Sequence, residues 1–133
     1  MELNALIIDD EKMIVDSLHM ILAESGLFKS IVQASDGVDA CRKIDNQTFS
    51  LIVVDINMPK LDGLGVIKHI KEKEVNSKAE ILLISGGFNH ENVQIASDFD
   101  IKYVLAKPFN AKKFVNKLTE ILKEMKKSQN FAA

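Results

Sequence analysis

Side chains that can bind a metal or react lie directly after apolar runs at four places in this sequence. Asp9 and Asp10 follow the run ALII, and Asp55 follows LIVV. Ser85 follows ILLI, and Lys107 comes shortly after YVL. If the ends of these runs meet in the folded chain, carboxylates, a hydroxyl and an ammonium group share one site.

Carboxylates that are packed together repel one another, by about 4 kcal/mol per pair at ~4 Å in an effective dielectric constant of about 20. A shared proton or Lys107 would reduce this repulsion, and a divalent cation would reduce it more fully. Oxygen ligands favour a hard cation, and Mg²⁺ that keeps some of its waters suits a site with few protein ligands. A metal beside a carboxylate, a hydroxyl and a lysine can position a phosphoryl group and neutralise its charge. These residue types therefore predict a phosphoryl site in which Asp55 is the nucleophile.

The apolar runs have the composition of strands that are covered on both faces, because their hydrophobic residues are continuous rather than alternating. The predicted strands span residues 3–8, 30–34, 51–54, 80–85 and 102–106, and the predicted helices span residues 12–24, 37–46, 62–74, 89–98 and 110–126. Five strand–helix pairs predict an open, doubly wound α/β domain with a parallel sheet and right-handed crossovers. Ligands of such sheets bind outside the carboxyl ends of the strands, which is where the reactive residues lie.

The loop after Asp55 also suits a fixed nucleophile. Pro59 would prevent the strand from continuing, and Gly63 would give the turn conformational freedom. Taken alone, each of these residues is better explained as an ordinary loop residue or helix cap. The same pattern at four strand ends favours a functional site.

The composition limits the classes of function. A chain of 133 residues suits one domain, and a net charge of −2 gives no basic field to attract nucleic acid. The single cysteine, Cys41, lies at helical spacing between Val38 and Ile44 and is predicted to be a core residue. It cannot form an internal disulfide, which favours a reducing cytoplasmic location. No apolar run approaches the ~20 residues of a membrane span, so neither nucleic acid nor membrane is an expected partner.

The sequence resembles the receiver domains of two-component response regulators. The resemblance rests on the order and spacing of IIDDE (7–11), VVDINMPKLDG (53–63), LLISGG (82–87) and LAKPF (105–109). It covers residues 1–126 and implies a flavodoxin-like fold of five parallel strands in the order 2-1-3-4-5, flanked by five helices. Residues 127–133 are expected to form a frayed tail, with no output domain after residue 126.

The resemblance implies a metal site and a phosphoryl acceptor. Asp55 would accept a phosphoryl group from a histidine kinase or a histidine phosphotransfer protein. Mg²⁺ would bind directly to Asp10 and Asp55, through water to Asp9, and to the backbone carbonyl of Asn57.

Three further matched residues would act around the phosphoryl group. Ser85 and Lys107 would bind its oxygens, and Pro108 would follow a cis peptide bond. The protein would catalyse only its own phosphorylation and dephosphorylation, and so would not be an enzyme acting on a separate substrate.

Two positions depart from the pattern of the family. The aromatic switch residue is usually three positions before the lysine, but Val104 stands there and Tyr103 stands one place earlier. One place along a strand means the opposite face, so the usual coupling between the Ser85 hydroxyl and a rotating ring is in doubt. Asp100 stands where a glycine is common, and Asp tolerates a left-handed backbone better than most residues do.

The expected output is a change at the surface formed by the fourth helix, the fifth strand and the fifth helix, or onward relay of the phosphoryl group. The downstream protein is unknown from the sequence. The oligomeric state is expected to be a monomer or a weak dimer through that surface.

Three alternatives compete with this interpretation. A haloacid-dehalogenase-type phosphatase also uses an aspartyl nucleophile, but after its first strand, and Asn57 stands where it would need an acid. A flavodoxin-like FMN module would need a hydroxyl- and glycine-rich loop after the first strand, where this chain has DDEKMI. The third alternative is a degenerate receiver that only binds partners, and the presence of Val104 at the switch position leaves this alternative open.

Overall fold

Five strands alternate with five helices in the computed structural model, which describes residues 2–58, 62–86 and 90–132. The strands are β1 (Leu3–Ile8), β2 (Phe28–Ala34), β3 (Leu51–Asp55), β4 (Glu80–Ser85) and β5 (Tyr103–Ala106), and the helices are α1 (Lys12–Ser25), α2 (Gly37–Asn46), α3 (Gly63–Glu72), α4 (His90–Asp98) and α5 (Ala111–Ala132). Pro59, Gly87 and residue 89, which entered the sequence predictions, lie outside the described residues.

The strands form one parallel sheet in the order β2-β1-β3-β4-β5, which confirms the predicted fold class and strand order. The central strand β3 pairs with both β1 and β4, with Val54 opposite Ile8 and Asp55 opposite Ile84. The carboxyl ends of β1, β3 and β4 therefore lie side by side, and the residues that follow them meet at one edge.

The core lies on both faces of the sheet, and this explains why the strands are apolar throughout. Leu51 and Val53 of β3 belong to one buried cluster with residues of α1 and α5, including Phe114. Ile52 and Val54, the alternate residues, belong to a second cluster with residues of α2 and α3. Because β3 is packed on both faces, the backbone of its last residue, Asp55, is held rigidly in place.

Several predicted element boundaries need correction. β2 begins two residues earlier than predicted, at Phe28, and β5 begins one residue later, at Tyr103. α3 ends at Glu72, because Lys73 has an extended backbone with φ −113° and ψ 144°. α5 continues to Ala132, whereas the predicted helix ends at residue 126. The stretch 127–132 contains no glycine or proline to end the helix.

Two side chains match the backbone conformation at helix ends. Asp100, after α4, has φ 53° and thus the left-handed conformation expected at this position. Asn110 caps α5, because its side-chain oxygen accepts a hydrogen bond from the Lys113 N–H at 2.9 Å. Cys41 is half-buried and packs against the second cluster.

Candidate functional site

Four carboxylates gather at the carboxyl ends of β1 and β3. Asp9, Asp10, Glu11 and Asp55 each offer an oxygen, and these four oxygens lie within 4.8 Å of one another. Asp9 and Asp55 are buried, whereas Asp10 and Glu11 are exposed. The prediction that carboxylates from separate strands meet is thus confirmed. The site has a buried floor and a charged mouth.

Asp9 is held at the floor by backbone contacts. Its Oδ1 accepts a hydrogen bond from the Glu11 N–H at 2.9 Å, and its own N–H donates to the Ala34 carbonyl at 3.3 Å. Its other oxygen, Oδ2, is buried and makes no hydrogen bond to the residues that the structure describes. The nearest cation among those residues is the Lys107 ammonium, whose Nζ is 3.4 Å away. A buried carboxylate oxygen in this state is a candidate ligand for an ion or its water.

Asp55 occupies the centre of the site. Its Oδ1 accepts a hydrogen bond from the Asn57 N–H at 3.1 Å, and its Oδ2 accepts one from Lys107 Nζ at 3.2 Å. The loop below it is closely packed, because a Cβ added to Gly63 would meet the Asp55 carbonyl and lie 2.5 Å from the Ile56 Cα. Gly63 is therefore required for close approach of α3 to β3. The prediction that it gives the turn conformational freedom is wrong, because its φ is not in the region reserved for glycine.

Lys107 reaches the site from the end of β5. Its N–H donates to the Ser85 carbonyl at 2.7 Å, and the Lys107–Pro108 peptide bond is cis, as predicted. Its ammonium donates to Glu11 Oε1 at 3.0 Å, which is its shortest contact with a carboxylate. Glu11 was not among the predicted site residues. Its position directly after Asp10 was the only signal that it would join the site.

Burial and mutual repulsion shift the acid–base properties of these groups. Burial, aided by the Asp55 charge, raises the pKa of Asp9 from 3.8 to about 6, although a hydrogen bond from the Glu11 N–H and the Lys107 charge act in the other direction. Burial also raises the pKa of Asp55. Burial alone would lower the pKa of Lys107, but the carboxylates of Glu11, Asp55 and Asp9 outweigh it and raise that pKa. The site thus holds more negative charge than one ammonium can balance.

The donor set fits a hard divalent cation. It offers carboxylate oxygens from two strand ends, at mutual distances that one ion can span, and a buried Asp9 oxygen that lacks a hydrogen bond. These are the ligands that Mg²⁺ prefers in proteins. The residues present therefore fit the predicted metal.

The remaining predicted residues surround this centre. Ser85 is fully buried at the end of β4, next to β3, and Asn57 is exposed two residues after Asp55. Tyr103 and Val104 lie on opposite sides of β5, as their spacing predicts. Tyr103 is buried with the cluster of α1 and α5, and Val104 packs against the cluster of Ile56, Ile67 and Leu83.

Comparison with known proteins identifies this arrangement. A family model described as the response regulator receiver domain matches residues 5–119. The chain belongs to the response-regulator receiver family. The receiver is 31% identical over 112 residues to a probable chemotaxis protein CheY of Rhizobium etli, covering 84% of this chain and 86% of that protein.

Two further similarities extend this result. The receiver is 31% identical over 123 residues to the transcriptional regulatory protein YesN of Bacillus subtilis, covering 92% of this chain but 33% of YesN. It thus spans about a third of that relative. A solved structure of a CheX–CheY complex with BeF₃ and Mg²⁺ from Borrelia burgdorferi matches with a TM-score of 0.79 and 28% identity, covering 90% of this chain and 89% of that one.

Family membership decides against two of the three alternatives. A receiver of the CheY type is consistent with phosphorylation-dependent signalling. It does not agree with a haloacid-dehalogenase-type phosphatase or an FMN-binding flavodoxin. Across the described part of the chain, every helix is too short or too polar to cross a membrane.

Proposed function

We propose that Asp55 accepts a phosphoryl group from a histidine kinase or a histidine phosphotransfer protein, in a reaction that requires Mg²⁺. The observation that carries this proposal is the Asp55 carboxylate itself. It is buried at the end of β3, bonded to Lys107 at 3.2 Å, and close to the oxygens of three other carboxylates. The solved CheY complex with BeF₃ and Mg²⁺ also supports the proposal, because that protein resembles this chain along most of its length.

The chemistry follows from the contacts of Asp55. An Asp55 oxygen forms a bond to phosphorus as the phosphorus–nitrogen bond of phosphohistidine breaks, and the leaving imidazole keeps the bonding electrons and takes up a proton. The Asn57 N–H fixes the orientation of the carboxylate through Oδ1. Lys107, already beside Oδ2, stays close to the transferred oxygens, and Ser85 at the end of β4 binds another of them.

Mg²⁺ supplies charge neutralisation when it is bound. Asp10 and Asp55 would hold it directly, Asp9 through water, and Asn57 through its backbone carbonyl. The same residues would act in the return reaction, in which water removes the phosphoryl group. The protein therefore acts on itself as a signalling switch, without a separate substrate to convert.

The signal would leave through a surface made by α4, β5 and α5. Among the described side chains of α4, only Ile95 and Ala96 pack, together with Val104 of β5, against the cluster of Ile56, Ile67 and Leu83, so α4 has a small apolar contact with the core. Val93 on the same helix is 53% exposed. An element with so few buried anchors changes its position at low free-energy cost.

Ring rotation is not available to carry this change from within β5. Tyr103 is buried on the side of the sheet that faces α1 and α5, and Val104 occupies the side that faces α4. The output would therefore be a displacement of α4. A shift from 1:99 to 99:1 needs about 5.5 kcal/mol, and charge-assisted bonds to Ser85 and Lys107 could supply ~1.5–3 kcal/mol each. Binding of a downstream protein, or formation of a weak dimer through this surface, would supply the remaining free energy for the shift.

Intact-mass spectrometry after incubation with a small phosphodonor tests the acceptor. We expect one added phosphoryl group in the wild type with Mg²⁺, and none with EDTA or in Asp55→Asn. Asp16→Asn, which removes an exposed carboxylate on α1, is the matched control and should be labelled normally. Labelling of Asp55→Asn would contradict the assignment of the acceptor. A wild type that stays unlabelled with every donor and with purified histidine kinases would instead indicate a degenerate receiver.

A further inference from the structure

The Lys107 ammonium is shared unequally among three carboxylates. It has three N–H groups to donate, and it hydrogen-bonds Glu11 Oε1 at 3.0 Å and Asp55 Oδ2 at 3.2 Å. Asp9 Oδ2 is within ion-pair range at 3.4 Å but makes no hydrogen bond to the described residues. The outer carboxylate of Glu11 thus receives a hydrogen bond that the buried carboxylate of Asp9 does not.

Glu11 is the exposed member of this group. Its side chain is 58% exposed, whereas those of Asp9 and Asp55 are 1% and 3% exposed. Glu11 precedes the first residue of α1, but its side chain makes no hydrogen bond that caps the helix. An exposed ion pair contributes little to folding stability. The contact between Glu11 and Lys107 therefore matters chiefly for where the ammonium lies.

The position of the ammonium determines whether a cation can reach the oxygens of the buried carboxylates. Without Glu11, the remaining carboxylate in ion-pair range that could accept from the freed N–H, among the described residues, is Asp9, and the ammonium would settle between Asp9 and Asp55. A cation entering the site would then have to displace it from both. With Glu11 in place, the ammonium is drawn toward the mouth, and one Asp9 oxygen stays available to the water of a bound cation.

We propose that Glu11 is a positioning residue that holds the Lys107 ammonium off Asp9 and so favours cation binding at the floor of the site. This inference rests on the proposed function, because it concerns the same metal. It differs from a general effect of negative charge, which would act on the cation directly and would not involve Lys107.

Calorimetric titration of Mg²⁺ separates the two explanations. Glu11→Gln removes the charge, and Glu11→Asp keeps the charge but shortens the side chain by one carbon–carbon bond, about 1.5 Å. If Glu11 acts through Lys107, both variants should bind Mg²⁺ about tenfold more weakly than the wild type, a loss typical of groups that orient metal ligands. Glu24→Gln, near the other end of α1 and exposed, carries the same charge change and should bind like the wild type.

A double-mutant cycle with Lys107→Ala completes the experiment. In the Lys107→Ala background, Glu11→Gln should no longer change the Mg²⁺ affinity, because there is no ammonium left to hold. An undiminished loss in that background, or wild-type affinity in Glu11→Asp, would overturn the inference in favour of charge alone.

The ammonium can also be observed without metal. The NMR signal of the Lys107 ammonium should shift in Glu11→Asp when Mg²⁺ is absent, and an unchanged signal would count against the proposed contact. A wild type that binds no Mg²⁺ would overturn both the proposed function and this inference. A wild type that binds Mg²⁺ and is labelled at Asp55, but whose cycle shows no coupling, would overturn the role of Glu11 alone.

Discussion

Replacing Asp9 by asparagine should stabilise the protein at neutral pH when no Mg²⁺ is present. Burial disfavours the ionised Asp9 carboxylate, and its pKa rises from 3.8 to about 6. Because the folded-state pKa lies above the unfolded-state value, the folded protein binds more protons and loses stability as pH rises through this interval. Asparagine has nearly the same shape and cannot ionise, so the variant avoids this loss.

The size of the effect follows from the shift in pKa. The rise to about 6 is roughly 2 pKa units at about 1.4 kcal/mol each, so the ionised carboxylate lowers the free energy of unfolding by roughly 3 kcal/mol. Nearly all of this loss is present at pH 7, and about half is present at pH 5. Asp9 alone should therefore make the wild type ~1–1.5 kcal/mol less stable at pH 7 than at pH 5. The raised pKa of Asp55, also caused by burial, acts in the same direction.

Urea denaturation in EDTA, followed by far-UV circular dichroism from pH 5 to pH 8, measures this difference. With a denaturant slope of ~1–3 kcal/mol/M, the unfolding midpoint of Asp9→Asn should lie about 1–3 M above that of the wild type at pH 7. Asp16→Asn is the control, because Asp16 is exposed and pairs only with Lys12 among the described residues. Its effect should stay within ~1 kcal/mol at every pH.

The reasoning would be refuted by equal stability of wild type and Asp9→Asn at pH 7, or by a difference that does not shrink toward pH 5. Saturating Mg²⁺ gives a second check. Because Mg²⁺ binding to the folded state stabilises the wild type, the difference in free energy of unfolding between Asp9→Asn and the wild type should become smaller or change sign.

Three further predictions concern the metal, the loop and the output surface. Asp10→Asn should weaken Mg²⁺ binding more than Asp9→Asn does, because loss of a group that contacts the metal only through water typically lowers the metal affinity ~10–100-fold. Calorimetric affinities in the opposite order would contradict the ligand assignment. Gly63→Ala should lower the free energy of unfolding by ~1–3 kcal/mol, because the added Cβ would press on the backbone at the end of β3. An unchanged midpoint in urea denaturation would contradict this prediction. Amide hydrogen exchange with and without beryllofluoride should change within residues 86–106 and not within 37–46; the reverse pattern would exclude the proposed surface.

Much of the fold and the centre of the site could be predicted from the sequence because both depend on local patterns. Continuous apolar runs separated by helical patterns indicate strands buried on both faces, and the parallel sheet brings the ends of those strands to one edge. Asp9 follows such a strand and Asp55 ends one, so the parallel sheet by itself is enough to bring the two residues together. Asp100 and Pro108 likewise carry their backbone conformations in their own residue types and neighbours.

The tertiary structure alone decided the features that depend on distant segments. Glu11 and Lys107 are 96 residues apart in the chain, and nothing in either neighbourhood indicates that a long glutamate side chain bonds the ammonium. Gly63 was expected to provide freedom, but the close approach of α3 to the end of β3 is what requires a glycine. Periodicity determines which face of an element is buried and at which end a residue lies. The direction of a long side chain, and the distance between two backbones, are set only when the elements pack.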